Sequence, residues 1–217
     1  PYGLNTSDSV VDPHMMKNSE WGACAYLSKS KYGKETEEVW INPNSNYITG
    51  QAGSSVSAGK TTSTNDYKST NGQKASTTGN TTGVYDMSGG ANEYVAGYVY
   101  NEHSNLTTYG SNLVNAEAGY KDVYSVGSSD TRENNYAAAS SKYGDAVYET
   151  SASGSSTSGA WYSDYSSFPN TSSPFFHRGG ICNYGSLAGV FYFNNTDGNA
   201  SSINSFRVVV PVLWYLA

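Results

Sequence analysis

The chain has 217 residues, of which only 14% are charged, with 20 Tyr, 23 Gly and a formal net charge of -6 at pH 7. That length suits one large core better than two small ones, and many aromatics on so little charge exclude an intrinsically disordered chain. The negative balance, with Lys and Arg scattered, excludes a phosphate backbone as partner, and no run of apolar residues is long enough to span a membrane.

The chain opens at Pro1-Tyr2-Gly3 without Met or signal-peptide features, so a processed or truncated start is expected, with any export signal upstream. Asp12-Pro13 offers a cap and a first-turn proline, which predicts a helix over 12–33. Met16, Trp21, Cys24, Ala25 and Leu27 form its expected buried stripe. Short strands are expected at 39–41, 83–86, 94–100, 189–193 and 206–213. The last is rich in β-branched residues and is predicted to lie centrally in a sheet. Two polar stretches, 42–80 and 101–160, lie between apolar segments and read as loops of one domain, not as linkers. Few strands, one convincing helix and much ordered loop predict an α+β fold.

Cys24 and Cys182 are too far apart for a redox Cys-x-x-Cys and too few for a zinc site, leaving one disulfide or two buried thiols. His14, His103 and His177 have no Ser-centred nucleophile motif beside them, and His177 next to Arg178 reads as a structural contact. Asp86 and Glu93 allow two readings: metal ligands, or a turn cap and an acceptor of backbone hydrogen bonds.

Three stretches carry a family resemblance. Gly83-Val84-Tyr85-Asp86-Met87-Ser88-Gly89-Gly90-Ala91-Asn92-Glu93-Tyr94-Val95 resembles the G-L-Y-D-M-x-G-N-x-W-E-W block of formylglycine-generating-enzyme-like (sulfatase-modifying factor) domains. Arg178-Gly179-Gly180 is similar to their R-G-G block, and Ser205-Phe206-Arg207-Val208-Val209 to their terminal G-F-R-V-V strand. The stretch His14-Met15-Met16-Lys17-Asn18-Ser19-Glu20-Trp21-Gly22-Ala23 resembles the helix of a branch of such domains in Gram-positive gut bacteria and phage-related genes.

The resemblance implies a C-type-lectin-like fold, with 1–217 as a single such domain whose first strand and helix would precede Pro1. In the family's enzyme, copper is held by two cysteines that follow R-G-G. Cys182 stands near the first position, but Leu187 and Ala188 occupy the region of the second, so neither catalysis nor copper is expected. In the family the first block carries calcium. That implies Asp86 and Glu93 as side-chain ligands, and Gly89 and Ala91 as carbonyl ligands, with Asn92 in place of the usual Trp.

The segment 181–205 carries the binding expectation. Asn183, Tyr184, Tyr192, Asn194, Asn195, Asp197, Asn199 and Asn204 are expected to form one exposed face, anchored by buried Val190, Phe191, Phe193 and Phe206. Domains of this fold are targets of diversity-generating retroelements, whose randomised codons cannot encode Lys, Glu, Gln, Met or Trp, and none of the five occurs in 181–205. The expected function is a non-catalytic binding or adhesion domain, extracellular or on a cell surface, pilus or phage. Its partner would be a protein or glycan on a host or neighbouring cell. The alternative is a structural subunit that self-associates in a surface filament. No Glu-Pro-Asn or Gln-Pro-Asp sugar-binding tripeptide is present.

Overall fold

A computed structural model describes residues 12–211. Expectations for residues 1–11, and for the end of the strand 206–213, lie outside the described residues. In chain order the structure runs β1 (His14–Met15), α1 (Asn18–Ser28), β2 (Gln51–Ala52), β3 (Asn65–Asp66) and β4 (Asn92–Tyr100). There follow α2 (Ser104–Thr108), α3 (Ser111–Asn115), β5 (Asp122–Ser125), α4 (Arg132–Ala138), β6 (Ser155–Ser156) and β7 (Ser166–Ser167). The last strands among the described residues are β8 (Phe175–Gly179), β9 (Gly189–Thr196), β10 (Asn204–Phe206) and β11 (Val208–Val209). Mixed helix and sheet make it α+β.

The main sheet has the order β10-β4-β8-β9-β7-β6 and curls into half a barrel. Two parallel neighbours, β10 and β5, share one edge of β4, while β8 runs antiparallel to both β4 and β9. Register decides the faces, because cross-strand partners point to the same side. Glu93, Arg178 and Phe193 are in register, and so are Tyr94, His177 and Asn194. The first row faces an inner core that contains Trp21, Val95, Val99, Tyr124, Phe168, Phe176, Phe191 and Phe193. The second row lies on the outer face, where Tyr98, Leu106 and Phe175 make a smaller cluster under α2 and α3.

α1 packs on the inner face and is anchored by Trp21, which is wholly buried and donates its indole N–H to the Val190 carbonyl at 2.8 Å. Gly22 lets it come close: a Cβ there would lie 2.2 Å from the Gly144 carbonyl oxygen. The helix starts at Asn18 and not at Asp12, because His14 and Met15 pair with Val209 and Val208. The Glu20 carboxylate accepts the Lys17 N–H at 2.9 Å and so satisfies a first-turn donor. Leu27, expected in the buried stripe, is 61% exposed.

The strands expected over 94–100 and 189–193 are present, each longer than expected. Residues 39–41 and 83–86 are irregular, although Val39 and Ile41 are buried. The expected central strand over 206–213 is overturned. It breaks at Arg207 into β10 and β11, which pair with different strands, and Phe206 is 64% exposed. Both long polar stretches are ordered by side chains that bond to the backbone two residues on. Asn42 accepts from the Asn44 N–H, Asn44 from Asn46, Asp66 from Lys68, Asn80 from Thr82 and Asn101 from His103.

Candidate functional site

The three stretches that carry the family resemblance meet in space. The Gly89 N–H donates to the Gly179 carbonyl at 3.0 Å, and the Cys182 N–H to the Gly90 carbonyl at 2.8 Å. Glu93 lies opposite Arg178 on one side and Ser205 on the other. Gly89 has a φ of 75°, and a Cβ there would stand 2.3 Å from Ile41 Cγ1, so only glycine allows this close approach.

Asp86, Ala91, Glu93 and Arg207 line a cleft of about 610 Å3, together with Tyr47, Tyr85 and Asn204. The two carboxylates do converge there. Asp86 Oδ1 accepts from Asn42 Nδ2 at 2.6 Å, and Oδ2 from the Gly50 N–H at 3.1 Å. Glu93 Oε2 accepts from Arg207 Nε at 2.7 Å and Oε1 accepts from Arg207 Nη2, while the same Nη2 donates to the Tyr85 carbonyl at 3.1 Å. Burial raises the pKa of Glu93, Arg207 opposes that rise, and Glu93 in turn holds the guanidinium charged. Both carboxylates thus accept from protein donors, and the cation paired with Glu93 is the Arg207 guanidinium. This donor set does not fit a calcium ion on Asp86, Gly89, Ala91 and Glu93.

Arg178 is fully buried and does not line this cleft. It donates to Asn18 Oδ1 at 3.3 Å and to the Ala146 carbonyl at 3.0 Å, with its guanidinium 5.6 Å from the Trp21 ring centroid. Nearby, Tyr124 donates its hydroxyl to Asp145 at 2.6 Å. This polar network ties α1 to the 144–149 turn.

The two thiols are not bonded to each other. Cys24 lies on α1 and burial raises its pKa, while Cys182 is buried beyond β8. The histidines bind their own surroundings. His14 Nε2 lies 2.8 Å from Glu20 Oε1, and His103 Nδ1 accepts the Asn105 N–H at 3.2 Å. His177 packs edge-on to Tyr94 with ring centroids 4.3 Å apart, and burial pushes its pKa down to about 4.

The residues expected to form one binding face are split among several places. Tyr192 is 0% exposed, which overturns its expected exposure. It lies on the outer face under Tyr165 and Tyr184, with ring centroids 5.8 and 5.9 Å away. Asn195 points to the opposite side from Asn194, and its Nδ2 donates to Asn170 Oδ1 at 3.0 Å. Asp197 and Asn199 belong to the loop after β9, where the Asn199 N–H donates to Asp197 Oδ1 at 2.9 Å and the Asn199 carbonyl accepts Tyr94 Oη at 2.9 Å. Asn204 lines the Asp86 cleft, and Asn183 is exposed on the turn before Tyr184. Of the anchors, Val190, Phe191 and Phe193 are buried and Phe206 is not.

Tyr184 and Asn194 do come together. With Thr157, Tyr165 and Leu187 they line a cleft of about 240 Å3 that rests on Tyr192. Sequence reasoning missed Thr157, Tyr165 and Leu187. The first two lie in a Ser/Thr/Tyr-rich stretch without periodicity, and only the parallel pairing of β7 with β9 brings them there. A scan against family models and searches of curated proteins and of solved structures returned no match.

Proposed function

We propose that the chain is a non-catalytic ligand-binding domain, acting outside the cell or at its surface, with a C-type-lectin-like fold of the formylglycine-generating-enzyme-like kind. The meeting of the Asp86 block, Arg178-Gly179 and Ser205-Phe206-Arg207 on adjoining backbone supports the fold reading, because these stretches are distant in sequence. Occupation of both carboxylates by protein donors, and the separation of the two thiols, support a binding role over catalysis. Among the described residues no helix is long and apolar enough to cross a membrane.

The observation that carries the binding role is the cluster of tilted rings Tyr165, Tyr192 and Tyr184 beside Asn194. Tyrosine offers a rigid apolar face with a polar edge, and asparagine offers both a donor and an acceptor. A cleft of about 240 Å3 is small for a whole drug-sized ligand. It suits one side chain of a protein partner or one sugar ring of a glycan. Screening the labelled chain against arrays of glycans and of cell-surface proteins tests the proposal. Saturable binding to a defined member supports it, and a blank screen on both arrays counts against it.

A further inference from the structure

A third cleft, of about 440 Å3, opens beside the outer face of the sheet, between β4, the start of β8 and the α2–α3 turn. Its volume falls in the range of small-molecule sites. Four aromatic rings wall it, Tyr94, Tyr109, Tyr120 and Phe175, together with the imidazole of His14. The sequence provides for their approach. A Cβ on Gly110 would lie 2.5 Å from Phe175 Cζ, and one on Gly198 would lie 2.7 Å from Tyr109 Cβ. Bare backbone at both positions is what allows these rings to close around one space.

Two polar groups among the aromatic walls, the Tyr94 hydroxyl and the His14 imidazole, are already committed. Tyr94 Oη donates to the Asn199 carbonyl at 2.9 Å, and His14 meets Glu20 Oε1 and the Asp12 carbonyl, each at 2.8 Å. Among the described residues no Lys or Arg lines the cleft, so no fixed positive charge there would hold a carboxylate or phosphate. The nearby charge includes Asp12, whose carboxylate lies 3.8 Å from His14 and beside the Tyr120 hydroxyl, Glu20 on His14, and Glu117 near Tyr120. Two lysines lie in the neighbourhood, and both are engaged with carbonyls: Lys17 donates to Gly119 at 2.8 Å and Lys121 to Val114. Aromatic walls and an acidic surround match a cation that has an apolar body.

We propose that this cleft binds a small organic cation of the quaternary ammonium class, held against the rings of Tyr94, Tyr109, Tyr120 and Phe175. It shares no lining residue with the Tyr165–Tyr184 cleft and goes beyond the binding role given to that cleft. The ring faces attract the positive charge through their quadrupoles while the methyl groups fill the apolar space.

Calorimetric titration of the chain with choline, and with its neutral isostere 3,3-dimethylbutan-1-ol, tests this directly. Choline is expected to bind with a Kd about 10-fold or more below that of the alcohol, because only the cation gains from the rings. Tyr109 is 47% exposed, so Tyr109→Ala should keep the parent melting temperature while losing most of the choline affinity. Tyr109→Phe keeps the ring and should bind like the parent, whereas Tyr109→Leu keeps bulk without the ring and should not. No saturable choline binding, equal binding of the alcohol, or full affinity in Tyr109→Leu would each overturn the proposal.

Discussion

Arg207 holds both carboxylate oxygens of Glu93, in a pair whose side chains are 21% and 7% exposed. The contact joins β4 to the junction of β10 and β11, and so ties the C-terminal strands to the centre of the sheet. Breaking such a pair from one side leaves a buried charge without its partner. Arg207→Ala should therefore cost about 3 kcal/mol in urea unfolding. The double variant with Glu93→Gln should cost less than the sum of the single changes. Additive costs would mean that the two groups do not act as a pair.

The same geometry bears on calcium. Because Arg207 occupies Glu93, while Asn42 and Gly50 occupy Asp86, neither added calcium nor a chelator should shift the melting temperature of the parent. Scanning calorimetry in both conditions checks this. A rise with calcium that Asp86→Asn abolishes would contradict it.

Tyr192 and Tyr184 should respond differently to removal. Tyr192 is 0% exposed, and Tyr192→Ala is expected to destabilise by about 3 to 5 kcal/mol, as loss of a buried aromatic ring does. Tyr184 is half-buried on a turn, and Tyr184→Ala should cost about 1 kcal/mol or less. Denaturant melts of the two variants decide between this arrangement and one in which Tyr192 faces solvent.

The long strands β4 and β9 are legible in the sequence because their β-branched and aromatic residues form dense local runs. The start of α1 is not, since the claim on His14 and Met15 comes from Val208 and Val209, far along the chain. The apolar run after Ser205 likewise reads as one strand. What divides it is the Arg207 side chain turning to Glu93, a partner that local sequence does not name. In the candidate site, Asn194 and Asn195 lie on opposite faces because β9 continues to Thr196. Period-two alternation would have separated them had the expected strand extended past Phe193. Tyr192 was misplaced for another reason: the rings that cover it, Tyr165 and Tyr184, come from two loops.

His177 gives the fold a pH signature. Burial holds its imidazole neutral, with a pKa of about 4 against 6.5 when unfolded. As pH falls, the unfolded chain takes up this proton first, so stability is retained above pH 6.5 and lost progressively between 6.5 and 4. The loss is on the order of 3 kcal/mol. Other buried groups titrate in this window, Asp145 among them with a pKa raised by burial to about 6, so the contribution is read as a difference between two proteins. The stability gap between the parent and His177→Gln should narrow by that amount from pH 7 to pH 4. A gap independent of pH would place His177 in contact with solvent.

The central claim is that the cleft of Tyr165, Tyr184 and Asn194 recognises a partner. The most direct measurement is the Kd for the strongest target on the glycan and protein arrays, taken for the parent, for Tyr184→Ala with Asn194→Ala, and for Asn199→Ala as a control on the adjacent loop. Removing a central aromatic contact and its polar neighbour is expected to weaken binding by about 30-fold or more, the scale of a hot-spot loss. Asn199→Ala should bind within about 3-fold of the parent, as a residue outside the contact does. Equal affinity of the parent and the double variant, with both folded, would contradict the claim.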